Sequence, residues 1–179
     1  MTSAPHRHLT DLLPRLTAFA RALLNESDLA NDLVQEAASR ALSARSVPID
    51  QPAYRAWMFR IVRNAALDEL RRQRRNTQPP EPAPEPDAFG GDDAWIAKIT
   101  VEQGLACLSA DHREIIALIE IAGFSYAETA DILRIPVGTV MSRITRARSA
   151  LLSAIQSNSV RPLTPRRAGP HKVISPHGR

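Results

Sequence analysis

Residues 125–148 read SYAETADILRIPVGTVMSRITRAR. Ser125 followed three residues later by Glu128 is a capping box, in which each side chain bonds a free backbone N–H of the other. It predicts a short helix over 126–133. Ile135-Pro136 stops that helix, because the residue before proline is pushed out of the helical region. Val137-Gly138 then turns the chain into a longer helix over about 138–155. On that helix Val140, Ile144, Ala147 and Leu151 are spaced 4, 3 and 4, which makes a packing stripe. Thr139, Ser142, Arg143 and Arg146 make a second stripe turned away from the first. A short capped helix, a tight turn and a longer Arg-rich helix form a helix-turn-helix. Arginine reads guanine with two hydrogen bonds, and Thr or Ser meets phosphates or thymine methyls. These four residues are therefore candidate DNA-binding residues. A charged stripe alone would read as a solvated face; the capped helix and turn ahead of it decide otherwise.

Working back along the chain, residues 95–108 predict an apolar-rich helix. Ser109 precedes another over 110–122, carrying Ile115, Ile116, Leu118 and Ile119, with Gly123 closing it as a C′ residue. Cys107, on the first of these helices, is expected to be buried. Residues 79–93, PPEPAPEPDAFGGDD, hold five acids, five prolines and no basic residue. Such a run is no helix interior and lacks the apolar content for a core, so it reads as a linker. Ahead of it lie three predicted helices. The first spans about 9–24, with Leu12, Leu16, Phe19, Ala20 and Leu23 at helical spacing. Asn25, Ser27 and Asp28 supply cap chemistry for the second, about 28–44, with Ala30, Leu33, Val34, Ala37 and Ala41 on one face. A loop over 45–53 leads to the third, about 53–75. Trp57, Met58, Ile61, Val62, Ala65 and Leu70 are its apolar positions, and Trp57 is assigned to the core. The chain thus divides into a flexible N-terminus (1–8), a first lobe (9–76), a linker (77–97), a second lobe (98–155) and a disordered basic tail (156–179). The fold class is all-α, two small helical domains.

The 179 residues carry a net charge of +4, and 21 of the 23 basic side chains are Arg. That excess points to an anionic partner without naming one. No apolar run approaches the ~20 residues of a membrane helix, so no membrane contact is expected. The single cysteine excludes an internal disulfide and a multi-cysteine zinc site, and with no apolar leader it predicts a cytoplasmic setting. There is no Gly-rich phosphate loop and no paired carboxylates of fixed geometry. No catalytic residue, no metal ligand and no cofactor is assigned; the chain is not expected to be an enzyme.

The segment 125–148 resembles the DNA-binding region 4 of bacterial extracytoplasmic-function sigma factors, in the sigma-70 family. LSADHREIIALIEIAGFSYAE resembles the helices leading into it. DLANDLVQEAASRAL followed by YRAWMFRIVRNAALDELRRQRR is similar to region 2 of that family. The resemblance covers about 9–76 and 98–155. It implies a promoter-recognition subunit that binds core RNA polymerase (β′ clamp helices and β flap) and promoter DNA, controlled by an anti-sigma factor. By position, Asp32, Gln35 and Glu36 correspond to the surface that docks on the clamp helices. The loop 43–53 corresponds to the segment that captures an unpaired −10 base. Arg60, Arg63, Asn64, Arg71 and Arg72 correspond to the −10 face, and Thr139, Ser142, Arg143 and Arg146 to the −35 helix. One departure stands out: relatives often place Gly where Arg134 stands, a position suited to φ > 0.

Overall fold

The computed structural model describes residues 8–75 and 93–156. The N-terminal residues 1–7, most of the acidic linker (76–92) and the tail 157–179 lie outside the described residues. Seven α-helices follow in order: α1 Leu9–Leu24, α2 Ser27–Leu42, α3 Gln51–Arg75, α4 Asp93–Ala106, α5 Ala110–Ile116, α6 Tyr126–Leu133 and α7 Val137–Gln156. Between α5 and α6 the chain continues as a π-helical turn over Ala117–Ile121.

Helices α1–α3 make the first lobe. Leu16, Phe19, Ala20 and Leu23 of α1 face Ala30, Leu33, Val34, Ala37 and Ala41 of α2 and Met58, Phe59, Val62 and Ala66 of α3, all buried. In the second lobe, Ile115, Ile116 and Leu118 pack with Ile132 of α6 and with Val140, Ile144 and Ala147 of α7. Gly104 lets α4 close on α7: a Cβ there would lie 2.9 Å from Leu151 Cδ1 and 3.2 Å from Ile155 Cγ1. The buried residues of both lobes form one continuous cluster. Phe124 joins them, its ring 5.0 Å from that of Phe59, which meets Phe19 at 5.3 Å.

Several local expectations are corrected. Asn25 does not N-cap α2; it is the C-cap of α1, left-handed (φ 57) with its N–H on Arg21 O, and the residue ahead of α2 is Glu26 with no side-chain cap. Helix α3 starts at Gln51, two residues early, because Asp50 Oδ2 accepts from Ala53 N at 3.1 Å. Pro52 is tolerated because the first turn has no donor to lose. Helix α4 begins at Asp93, inside the stretch read as linker, since the last proline of that stretch is Pro86. Cys107 is exposed, not buried, because α4 ends one residue before it. Trp57 is only half-buried; Tyr54, one turn earlier on α3, fills the core and its phenol is pushed up by burial.

Two helix ends show how the second lobe turns. The extra residue in the π turn is visible in Ala122 N donating to Ala117 O (2.9 Å) and Phe124 N to Leu118 O (3.0 Å). Gly123 sits between them at φ 75, which only glycine adopts without strain. At the end of α6, Arg134 itself is left-handed, φ 56 and ψ 46. Its N–H and that of Ile135 both donate to Ala130 O, a Schellman-type closure. The turn keeps its shape without glycine, at roughly 1 kcal/mol of strain.

Candidate nucleic-acid interface

The helix-turn-helix is built from its caps. Ser125 N donates to Glu128 Oε2 at 2.8 Å, and Glu128 N donates to Ser125 Oγ at 3.2 Å. The Ser125 hydroxyl bonds the same carboxylate at 2.7 Å. These bonds hold the Glu128 carboxyl below its usual range, with Arg55 adding to the effect. A group whose pKa is depressed by folding stabilises above its unfolded pKa, about 4.3; the benefit is lost as pH falls through the lower folded value. Glu128→Ala is expected to cost about 1 kcal/mol near neutral pH. In thermal melts from pH 7 down to pH 3 its deficit should shrink as the wild-type carboxylate protonates. A deficit independent of pH would show that the cap works without the charge.

Helix α7 presents the predicted stripe to solvent. Ser142 and Arg146 are exposed, while Thr139 and Arg143 are half-buried. Arg146 bends back on its own helix, Nε to Ser142 O at 3.3 Å and Nη2 to Ser142 Oγ at 3.4 Å. Arg143 Nη1 reaches across to Asp111 Oδ2 on α5, 3.5 Å away. Thr139, Arg143 and Arg146 line one groove of about 370 Å³ together with Ser109, Asp111 and His112. Arg148, one step further along α7, leaves the stripe to pair with Glu120.

The predicted residues of α3 divide. Arg71 and Arg72 are exposed at its end and pair within the helix, with Asp68 at 2.8 Å and Glu69 at 2.7 Å. Arg60, Arg63 and Asn64 instead line a cleft against Ile132, Leu133 and Arg134 of the second lobe. Arg63 Nε binds Glu114 Oε1 at 2.7 Å, and Arg60 Nη2 reaches Asp131 O at 3.4 Å. On the same side Arg55 donates to Ala122 O at 2.6 Å, and its guanidinium lies 4.0 Å over the Phe124 ring. On α2, Asp32, Gln35 and Glu36 are all exposed on one face; Glu36 also pairs with Arg40 at 2.5 Å.

Three residues of this arrangement escaped the sequence reading: Arg55, Glu114 and Phe124. Glu114 had a signal. It stands one turn before Leu118 and beside Ile115, on the stripe that must be buried, and a charge there needs a partner. Among the described residues no group of three or more His, Cys, Asp or Glu is placed to hold a metal ion, and no helix is long and apolar enough to cross a membrane.

The chain matches the family models Sigma-70 region 2 over residues 9–76 and Sigma-70, region 4 over residues 99–151. It is 36% identical over 151 residues to the ECF RNA polymerase sigma factor EcfG of Rhodopseudomonas palustris, spanning 78% of both chains. The chain is an extracytoplasmic-function sigma factor of the sigma-70 family. It is also 33% identical over 135 residues to ECF sigma factor SigC of Mycobacterium tuberculosis, covering 74% of this chain and 73% of that one. The fold of this sigma factor resembles the sigma factor RpoE of Bartonella quintana, crystallised with the anti-sigma factor NepR: TM-score 0.63, 32% identity, 84% of this chain and 95% of that chain. It likewise resembles CnrH in complex with the cytosolic domain of CnrY, at TM-score 0.66 and 27% identity, over 86% and 88% of the two chains. In this sigma factor the region 2 match takes in α1–α3, and the region 4 match takes in most of α4–α7.

Proposed function

We propose that this sigma factor binds core RNA polymerase in the cytoplasm and directs it to promoters, reading the −35 element with α7 and the −10 element with the 43–50 loop and α3. It performs no reaction itself. The observation that carries this reading is the α7 stripe, where Thr139, Arg143 and Arg146 converge on one groove beside a helix-turn-helix turn. Phosphate contacts give affinity and base contacts give sequence choice. Arg143 and Arg146 are the base readers in this reading, with Thr139 and Ser142 beside them. Arg71 and Arg72, at the free end of α3, suit phosphate contact. Ile49, 85% exposed in the loop ahead of α3, offers an apolar surface to an unstacked base. Asp32, Gln35 and Glu36 form the docking face for the β′ clamp helices, and the second lobe meets the β flap. An anti-sigma factor controls access, as the complexes of the two structural relatives suggest.

The α3 half of this reading has a condition. Arg63 is 21% exposed and, with Arg60, lies against Ile132, Leu133 and Arg134 of the second lobe, which leaves no room for a −10 phosphate there. The lobes must therefore part before Arg60 and Arg63 meet DNA.

Reconstitution of the full chain with core RNA polymerase, followed by transcription over a randomised promoter library, tests the whole reading. Start sites sharing a common −35 and −10 sequence are expected. Arg143→Ala or Arg146→Ala should each lose about 1–3 kcal/mol of discrimination at one −35 base pair. Unchanged promoter choice in both variants would remove α7 as the reading helix.

A further inference from the structure

The groove along α7 holds one carboxylate, Asp111, and its other charged groups are Arg143 and Arg146. An acid on a surface that meets phosphates repels them, so its place there calls for a physical account. Asp111 sits in the first turn of α5, on a different helix from its partner. Its Oδ2 lies 3.5 Å from Arg143 Nη1. The Arg143 side chain is 28% exposed and that of Asp111 68%. The guanidinium is thus drawn inward against α5, whereas Arg146 lies along its own helix on neutral Ser142 acceptors.

We infer that Asp111 is the positioning residue that sets Arg143 for base reading. This rests on the reading of α7 as the −35 helix. A free arginine carries about 2 kcal/mol of rotamer entropy. A carboxylate 3.5 Å from one Nη draws the guanidinium to one side of the groove and leaves its donors for the O6 and N7 acceptors of guanine. The same negative charge disfavours a slip of Arg143 onto the neighbouring phosphate, where no sequence is read. Arg146 lacks such a guard, so the two arginines differ in selectivity although they neighbour each other on one face. Asp111 is exposed, and an ion pair with one partner in solvent contributes little to folding, so replacing Asp111 leaves the lobe intact.

The test uses holoenzyme made from the full chain and core RNA polymerase, with a template library randomised across the −35 element. Asp111→Asn should reduce discrimination about tenfold, within the coupling range of contacting groups, at the same base pair that Arg143→Ala affects. Other positions should keep their preferences. Asp111→Glu should restore most of the discrimination, and Asp111→Asn combined with Arg143→Ala should be no worse than Arg143→Ala alone. Equal tightening on every sequence with discrimination intact would overturn the inference, because the carboxylate then only repels DNA. No change at all would overturn it too. Failure of the α7 reading shows itself separately, as an Arg143→Ala holoenzyme with wild-type −35 preferences.

Discussion

Phe124→Ala will part the two lobes while leaving the helices of each formed. Phe124 is 3% exposed. It projects from the α5–α6 turn of the second lobe, and its partners belong to the first. Its ring meets Phe59 edge-on at 5.0 Å and lies beneath the Arg55 guanidinium at 4.0 Å. Truncation removes the buried ring area, the aromatic pair and the cation contact together, a loss of about 3–5 kcal/mol for a core phenylalanine. Most of that loss falls on lobe docking, because the ring bridges α3 and the turn rather than filling either lobe. Small-angle scattering should show a larger radius of gyration, with circular dichroism near wild type. Single-stranded −10 DNA should bind more tightly, since Arg60 and Arg63 are freed. Glu114→Gln should act in the same direction and less strongly. It removes the carboxylate facing Arg63 and keeps the side-chain volume. An unchanged radius and unchanged DNA affinity in both variants would falsify lobe closure as the barrier to α3.

The second large effect is expected at Arg113. Its guanidinium donates to Leu105 O, Leu23 O and Ala106 O at 3.0 Å each and to Leu108 O at 3.1 Å. Leu23 ends α1, Leu105 and Ala106 end α4, and Leu108 follows in the α4–α5 turn; the last carbonyls of a helix lack a full set of partners within it. One side chain on α5 therefore satisfies the ends of two helices from the two lobes. A cation there also meets the negative ends of both helix dipoles. Burial pushes the Arg113 pKa down, yet arginine stays charged, which is why this residue type fits a site with no carboxylate. Arg113→Ala strips the charged donor from four acceptors, several of them shielded from water. The expected cost is on the order of 3–5 kcal/mol, or a fall in Tm of roughly 10 °C or more. Arg113→Lys should recover only part of it, because an ammonium is a point charge with three donors and cannot span four carbonyls. A loss under about 0.5 kcal/mol in chemical denaturation of Arg113→Ala would show that water replaces the guanidinium at those helix ends.

The elements legible in the sequence were those whose causes lie within a few residues. The Ser125–Glu128 box, the Ser109 cap and the Gly123 closure are local exchanges of hydrogen bonds, and they stand where the spacing put them. The buried stripe of α7 was likewise a matter of periodicity. Errors came where two local rules competed. The loop expected over 45–53 ends at Asp50, because a proline in the first turn, here Pro52, removes no helical hydrogen bond. Trp57, expected in the core, is half-buried at its edge, and the phase of α3 turns Tyr54 fully inward.

The composition, the caps and the two motif stretches determined by themselves that this is an all-α sigma factor with an arginine-bearing helix-turn-helix. Only the tertiary structure decided where the arginines of α3 point. Arg63 meets Glu114 across 51 residues, Arg55 meets Ala122 across 67, and Arg113 meets Leu23 across 90. Periodicity places an arginine on a helix face, but it carries no information on which distant surface covers that face. The partner is set by the shape of the Phe124 junction and by the need of a buried carboxylate for a cation. Both exist only after the lobes have met.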